Sequence, residues 1–274
     1  MKRRALLQGL GGAALAACTH SPQHAAPRVL AVPPPRGPLA PAPPGGITPI
    51  ASRARVGVQA IAFDLFTLFD PRGVERRAAV VLEDDPAGFA AAWKTRLFEH
   101  CWLRASAGAY APFERLVADS LAITARVRKV ALTDAARAHL AAGFTALEPW
   151  PDTVHALHAL RRRGLRLAPL ANFSPAMIRA LLGSAALDGL FERQISTDEV
   201  RTYKPDPRAY ALAEHHFQLP RARIAFAAFG GWDAWGAHAF GLPTFWVDRL
   251  ATVDVLDAAV ASGPDLGALL AWIA

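Results

Sequence analysis

The chain predicts an α/β fold: a doubly wound, Rossmannoid parallel sheet, interrupted after its first strand by an all-helical insert. Three observations predict it. From about residue 56 onward, short apolar runs alternate with amphipathic segments. Four conspicuous polar residues, Asp64, Asn172, Lys204 and Asp233, sit beside the ends of such runs or in the loops that follow, where doubly wound sheets place their sites. Between the first run and the next lies a long stretch with helical periodicity and little strand character.

In order, residues 56–63 read as a buried first strand ending at Asp64. Residues 88–104, 112–128 and 134–144 read as the helices of the insert. Residues 152–163 form an amphipathic helix, with the acidic Asp152 at its start and Gly164 at its end. Residues 165–171 are a second apolar strand. Ser174 is suited to cap a helix over 175–182, with Pro175 in its first turn. A short strand near 194–196, a helix over 206–217, a strand over 224–229, a helix over 232–240 and a strand over 244–247 complete the alternation. No internal repeat of about 20–50 residues is apparent.

The 274 residues are 53% hydrophobic and 19% charged, enough for a packed core and against wholesale disorder. The net charge of +7 is unevenly spread. Seven of the 30 basic side chains lie before residue 61 and none of the 23 acidic ones do, so the remaining 23 basic groups balance the acids. The folded part is neutral and gives no support to a nucleic-acid surface. Two cysteines, Cys18 and Cys101, exclude a disulfide-rich scaffold and a cysteine zinc cluster.

The N-terminus reads as an address. Lys2-Arg3-Arg4 precedes an apolar stretch from Ala5 to Ala17 that is too short to span a bilayer as a helix. Arg3-Arg4 with Leu6-Leu7 resembles a twin-arginine export signal, and Leu15-Ala16-Ala17-Cys18 resembles a lipoprotein box in which Cys18 is lipidated. The alternative is a plain cleaved secretory signal with Cys18 incidental. Either way the expectation is export, to the periplasm or to a membrane-anchored lipoprotein, with membrane contact only through the lipidated N-terminus. Residues 21–50 contain ten prolines and read as an extended tether.

Taken singly, the four polar residues have ordinary explanations: Asp64 capping a turn, Asn172 in a loop, Lys204 on the surface before an N-cap Asp206, Asp233 at a helix start. Taken in order they resemble a family. Phe63-Asp64-Leu65-Phe66-Thr67-Leu68-Phe69-Asp70 is similar to the nucleophile motif of the haloacid dehalogenase superfamily. The match runs on through Trp93-Lys94, Trp102-Leu103-Arg104, Leu170-Ala171-Asn172-Phe173-Ser174-Pro175, Tyr203-Lys204-Pro205-Asp206, Tyr210 and Trp232-Asp233-Ala234-Trp235-Gly236-Ala237. It covers roughly residues 58–250 and resembles the type II (S)-2-haloacid dehalogenases more than the phosphatases.

The leader and the proline-rich stretch make residues 1–18 a signal and 19–55 a linker, and the resemblance implies a core over 56–72 and 146–274 and a helical cap over 73–145. It implies Asp64 as the nucleophile that displaces halide and forms an ester, which water hydrolyses. Lys204 would keep Asp64 ionised. Thr67 would hydrogen-bond its carboxylate, and Asp233 would orient or activate the water. Tyr210 would brace the lysine region. Asn172 and Trp232 would line the place where halide departs, and Leu65 and Phe66 the pocket for the alkyl group. Lys94 stands where the family has an arginine for carboxylate or halide. Phosphatases of the superfamily place a general acid/base Asp at the position of Phe66, so the resemblance implies metal-independent chemistry with no cofactor. A small 2-haloacid substrate and a homodimer are further implications.

The family pattern is departed from at the site. The glycine expected before Thr67 is missing, and Lys94 replaces an arginine that Arg96, two positions on, is badly placed to substitute. Ala171 replaces a serine, and Ala227-Ala228-Phe229-Gly230-Gly231 lacks a Ser and an Asn. The expectation is a dehalogenase-type hydrolase with a degraded substrate-binding site. A non-catalytic exported lipoprotein of the same fold is the alternative, and a phosphoryl-transfer enzyme a third class.

Overall fold

Six short strands form one parallel sheet in the order β3-β2-β1-β4-β5-β6: β1 (Ala60–Phe63), β2 (Arg166–Ala171), β3 (Ile195–Ser196), β4 (Ile224–Ala228), β5 (Thr244–Val247) and β6 (Ala261–Gly263). The computed structural model describes residues 57–252 and 260–274. The expected leader, Cys18 and the proline-rich stretch lie outside the described residues.

After β1 come α1 (Leu65–Leu68), α2 (Gly73–Val81), α3 (Pro86–Ser106), α4 (Phe113–Val127) and α5 (Asp134–Ala141); α6 (Thr153–Arg162) then leads into β2. Further on lie α7 (Pro175–Ser184), α8 (Pro207–Phe217), α9 (Gly231–Phe240) and α10 (Leu266–Ile273). No helix among the described residues is long and apolar enough to cross a membrane.

Both faces of the sheet are covered at its centre, so β1 and β4 are apolar throughout and β2 is apolar after Arg166, rather than alternating with polar residues. Ile61 and Phe63 of β1 join a core layer with α6, α7 and α10, while Ala60 and Ala62 join the opposite layer with α8 and α9. Successive side chains thus point to opposite faces, as a pleated strand requires. Within the insert, fully buried Trp93 ties α3 to α4 by donating its Nε1–H to the Val117 carbonyl at 3.2 Å and to Ser120 Oγ at 3.0 Å.

The α/β expectation is met, with local differences that have physical causes. Ser174 and Asp206 cap α7 and α8 as expected, through Met177 N and Arg208 N. Asp152 stands at the start of α6 but makes no capping bond; its carboxylate turns instead to Arg249 at 2.8 Å and to the Leu266 amide at 2.9 Å. α2 is not evident from periodicity because only Val74 and Ala78 are buried along it. β6 is the small, partly polar run Ala261-Ser262-Gly263, a strand by virtue of pairing with β5 rather than by composition.

One glycine sets how near α9 comes to the loop before α8. A Cβ on Gly236 would lie 2.6 Å from both Pro205 Cβ and the Tyr210 hydroxyl. Gly236→Ala is therefore expected to destabilise the fold by about 1–3 kcal/mol through overpacking, despite alanine's better helix propensity. Urea unfolding midpoints would measure it; an unchanged or raised midpoint would contradict the tight approach.

Candidate active site

Parallel strands that end on one edge deliver their following residues to one place. Asp64 follows β1, Asn172 follows β2, Lys204 lies in the loop after β3, and Asp233 sits in the first turn of α9 after β4. Lys204 Nζ lies 2.9 Å from Asp64 Oδ1 and 2.7 Å from Asp233 Oδ2. One ammonium therefore bridges two carboxylates. The lysine and Asp233 side chains are each 1% exposed, whereas Asp64 is 15% exposed and opens onto a cavity.

Each member is held by others. Asp64 caps α1, its Oδ2 accepting the Phe66 amide at 3.2 Å. Asn172 Oδ1 accepts the Lys204 amide at 2.9 Å and thereby fixes the lysine's backbone. The Tyr210 hydroxyl donates to Asp233 Oδ1 at 2.7 Å. The lysine's ammonium also lies over Phe226, with Nζ 5.1 Å from the ring centroid.

Burial works against the lysine's charge, but Asp233 and then Asp64 outweigh it and hold its pKa above the ordinary lysine value. Asp233 is pushed the other way for a carboxylate: burial raises its pKa, Lys204 opposes this, and the charge on Asp64 adds to the rise. Burial and then Asp233 also raise the Tyr210 phenol well above its usual range, so it remains a neutral donor.

Beside Asp64 lies a cavity of about 250 Å³. Leu65, Phe66, Lys94, Asn172 and Trp232 all line it, as the sequence reading expects. Among the departures, Ala171, Phe229 and Gly230 also reach the wall, whereas Ala227 and Ala228 are fully buried in β4 and do not line it. Arg96 is not at the wall and faces Glu99 at 3.9 Å on the helix surface.

Two expectations are corrected. Thr67 does not bond the Asp64 carboxylate; in the shortened turn its Oγ1 donates to the Asp64 backbone carbonyl at 2.6 Å. Tyr210 braces the lysine region, but not from the cavity wall as a substrate-binding residue: it is fully buried behind Asp233 and holds that carboxylate, the lysine's partner. Asp233 itself does not line the cavity, and both its oxygens are engaged.

A brace around α1 has no counterpart in the sequence motifs. A four-residue helix satisfies almost none of its own terminal carbonyls. Here Trp150 Nε1 donates to the Phe66 carbonyl at 3.0 Å, Arg249 Nη2 to that of Thr67 at 2.8 Å, and Thr153 Oγ1 to that of Leu68 at 2.8 Å. The Arg249 guanidinium also stacks 5.0 Å from the Trp150 ring centroid. Its place just beyond β5, at the site edge of a parallel sheet, is the signal that could have singled it out. Among the described residues no group of three or more His, Cys, Asp or Glu is arranged to hold a metal ion.

Residues 58–241 match the family described as haloacid dehalogenase-like hydrolase. An (S)-2-haloacid dehalogenase of Pseudomonas sp. (strain YL) is 37% identical over 197 residues, 72% of this chain and 85% of that protein. A crystal structure of an L-2-haloacid dehalogenase superposes with a TM-score of 0.77 at 35% identity, covering 79% of this chain and 99% of that one. The L-2-haloacid dehalogenase from Xanthobacter autotrophicus with chloropropionic acid covalently bound gives 0.72 at 28% identity, covering 79% and 98%.

The bridged carboxylates generate a pH prediction. Because the folded-state pKa of Asp233 is raised, its stabilising contribution is fully present below its unfolded value, about 4, and is lost as pH rises through the raised one. That of Lys204, also raised, persists until pH exceeds the ordinary lysine value of about 10.4. Lys204→Met is thus expected to cost about 3–5 kcal/mol near neutrality, where it strands buried charge, and less towards pH 4 as Asp233 takes a proton. Urea unfolding of both proteins across this range checks it; a pH-independent loss would argue for packing alone.

Proposed function

The chain belongs to the haloacid dehalogenase-like hydrolases, and from that premise we propose that it hydrolyses the carbon–halogen bond of a small (S)-2-haloacid through an ester on Asp64. The observation that carries this reading is the partly exposed carboxylate of Asp64 at the wall of an apolar cavity, with the Lys204 ammonium 2.9 Å behind it.

An Asp64 carboxylate oxygen attacks C2 from the side opposite the halogen. The new C–O bond takes the place of the C–X bond, and halide leaves with the bonding electrons. Lys94, Asn172 and Trp232 line the wall that receives the substrate carboxylate and the departing halide. Lys204 places a positive charge 2.9 Å from the attacking carboxylate. Thr67 acts on the turn rather than on the carboxylate, and Leu65 and Phe66 meet the alkyl group.

Esterification removes the charge on Asp64, and that charge is one of the causes raising the pKa of Asp233. Asp233 then has Lys204 as an unshared partner and ionises more readily. In this state it serves the second step once Lys204 or Tyr210 yields one of its oxygens. It takes a proton from the water that attacks the ester carbonyl carbon, the bond from that carbon to the substrate oxygen breaks, and the proton passes to the leaving oxygen. The products are a 2-hydroxyacid and the regenerated carboxylate, with the substrate's new hydroxyl oxygen supplied by Asp64.

The residues within 73–145 act as a cap over a core of 56–72 and 146–274. The departures at Ala171, Phe229 and Gly230 leave fewer side-chain donors for the substrate carboxylate. The leader supports export as a lipoprotein anchored through Cys18, and the resemblance supports a homodimer. Mass spectrometry of the mature N-terminus and light scattering of the purified protein test these two assignments; an unmodified residue 18 or a monomer would remove them.

Purified protein is expected to release chloride from (S)-2-chloropropionate, and Asp64→Asn to abolish release. In a single turnover in ¹⁸O-water the label is expected in Asp64 and not in the product. Label in the first-turnover product would overturn the ester route.

A further inference from the structure

The cavity beside Asp64 is larger and more aromatic than a haloacetate needs. Engineered apolar cavities of about 150 Å³ admit a benzene molecule. This one encloses about 250 Å³, which leaves room for a ring and for the reacting carbon with its halogen and carboxylate.

Seven of its fifteen lining residues are aromatic, and only Asp64, Lys94, Thr95 and Asn172 bring polar side chains to the wall. The rings form two connected groups. Phe66 meets Phe173 and Phe229 edge-on at centroid distances of 5.9 and 5.8 Å, close to Asp64. Phe98, Trp102 and Trp232 meet one another across the outer wall, with Trp232 5.6 Å from Phe98 and 5.4 Å from Trp102. Gly230 lets Trp232 take this place, since a Cβ there would lie 2.7 Å from the indole nitrogen. Such walls favour a guest that presents edges and faces of its own.

We propose that the substrate is a 2-haloacid bearing an aryl or similarly bulky apolar group on or next to C2, such as a 2-halo-3-phenylpropionate, rather than a haloacetate. The inference rests on the dehalogenase reading and adds the substrate class to it. The polar groups near Asp64 take the carboxylate end, and the outer rings take the apolar end. Apolar burial then supplies binding that the donors missing at Ala171, Phe229 and Gly230 do not.

The test compares chloride release by the full chain from 2-chloropropionate and 2-chloro-3-phenylpropionate, with Asp64→Asn as the blank. The phenyl acid is expected to show at least about tenfold higher kcat/KM, chiefly through KM. Trp102→Ala, a change at a side chain 36% exposed, is expected to cut that ratio by about threefold or more. Equal or greater efficiency with chloropropionate overturns the substrate class while leaving the dehalogenase reading intact. If neither acid loses chloride, the dehalogenase reading fails, and the cavity is judged by tryptophan quenching with unreactive 3-phenylpropionate and propionate. Tighter binding of the phenyl acid by about tenfold supports recognition of arylalkyl acids, and equal binding overturns it.

Discussion

A single buried ammonium shared by two carboxylates organises this molecule. Taking Lys204 out of water costs several kcal/mol, which only close and well-directed partners offset. Asp64 and Asp233 provide them at 2.9 and 2.7 Å, and much of the surrounding structure serves those two distances. Asn172 fixes the lysine's main chain, Tyr210 holds the far oxygen of Asp233, and Gly236 lets α9 approach closely enough to bring that aspartate in. The arrangement is also asymmetric. Asp64 faces the cavity and Asp233 does not, so one carboxylate is reachable from the cavity while the other is held behind it.

The insert gives this charge cluster its surroundings. α3 brings Lys94, Thr95, Phe98 and Trp102 to the cavity, and the ends of β2 and β4 bring Asn172, Phe173, Phe229 and Gly230. The walls are thus contributed by segments far apart in the chain, and the cavity exists only when both sets are in place. Apolar walls also lower the local dielectric around the Asp64 carboxylate, which strengthens its charge interactions.

The layout was legible in the sequence wherever burial imposes a pattern. β1, β2, β4 and β5 are apolar because both faces of the sheet are covered, and α4 and α6 show a clear amphipathic period. Asp64, Asn172, Lys204 and Asp233 stood out because each lies beside the carboxyl end of a strand or in the loop beyond it. Orientation was less accessible. The direction of Thr67 depends on the backbone of a turn one residue shorter than the family pattern, and Tyr210 has a polar tip that could have faced either the lysine or the aspartate. Arg249 and Trp150 satisfy carbonyls of α1, and no local period marks a residue whose partner lies elsewhere in the chain. α2 and β6 escaped for the related reason that pairing and packing, not composition, make them regular.

The brace on α1 bears on how the protein reaches its working form. Arg249 contacts a carbonyl 182 positions earlier in the chain, and Asp152, which holds Arg249, also accepts the Leu266 amide 114 positions later. The turn carrying Asp64 is synthesised early, yet the groups that lock it are among the later ones made. Contacts of such long sequence separation incur a large loop-closure entropy and belong to slow-forming topologies. The topology implies that the turn carrying Asp64 settles only after the far side of the sheet has docked, so that the site is completed late in folding even though Asp64 directly follows the first strand.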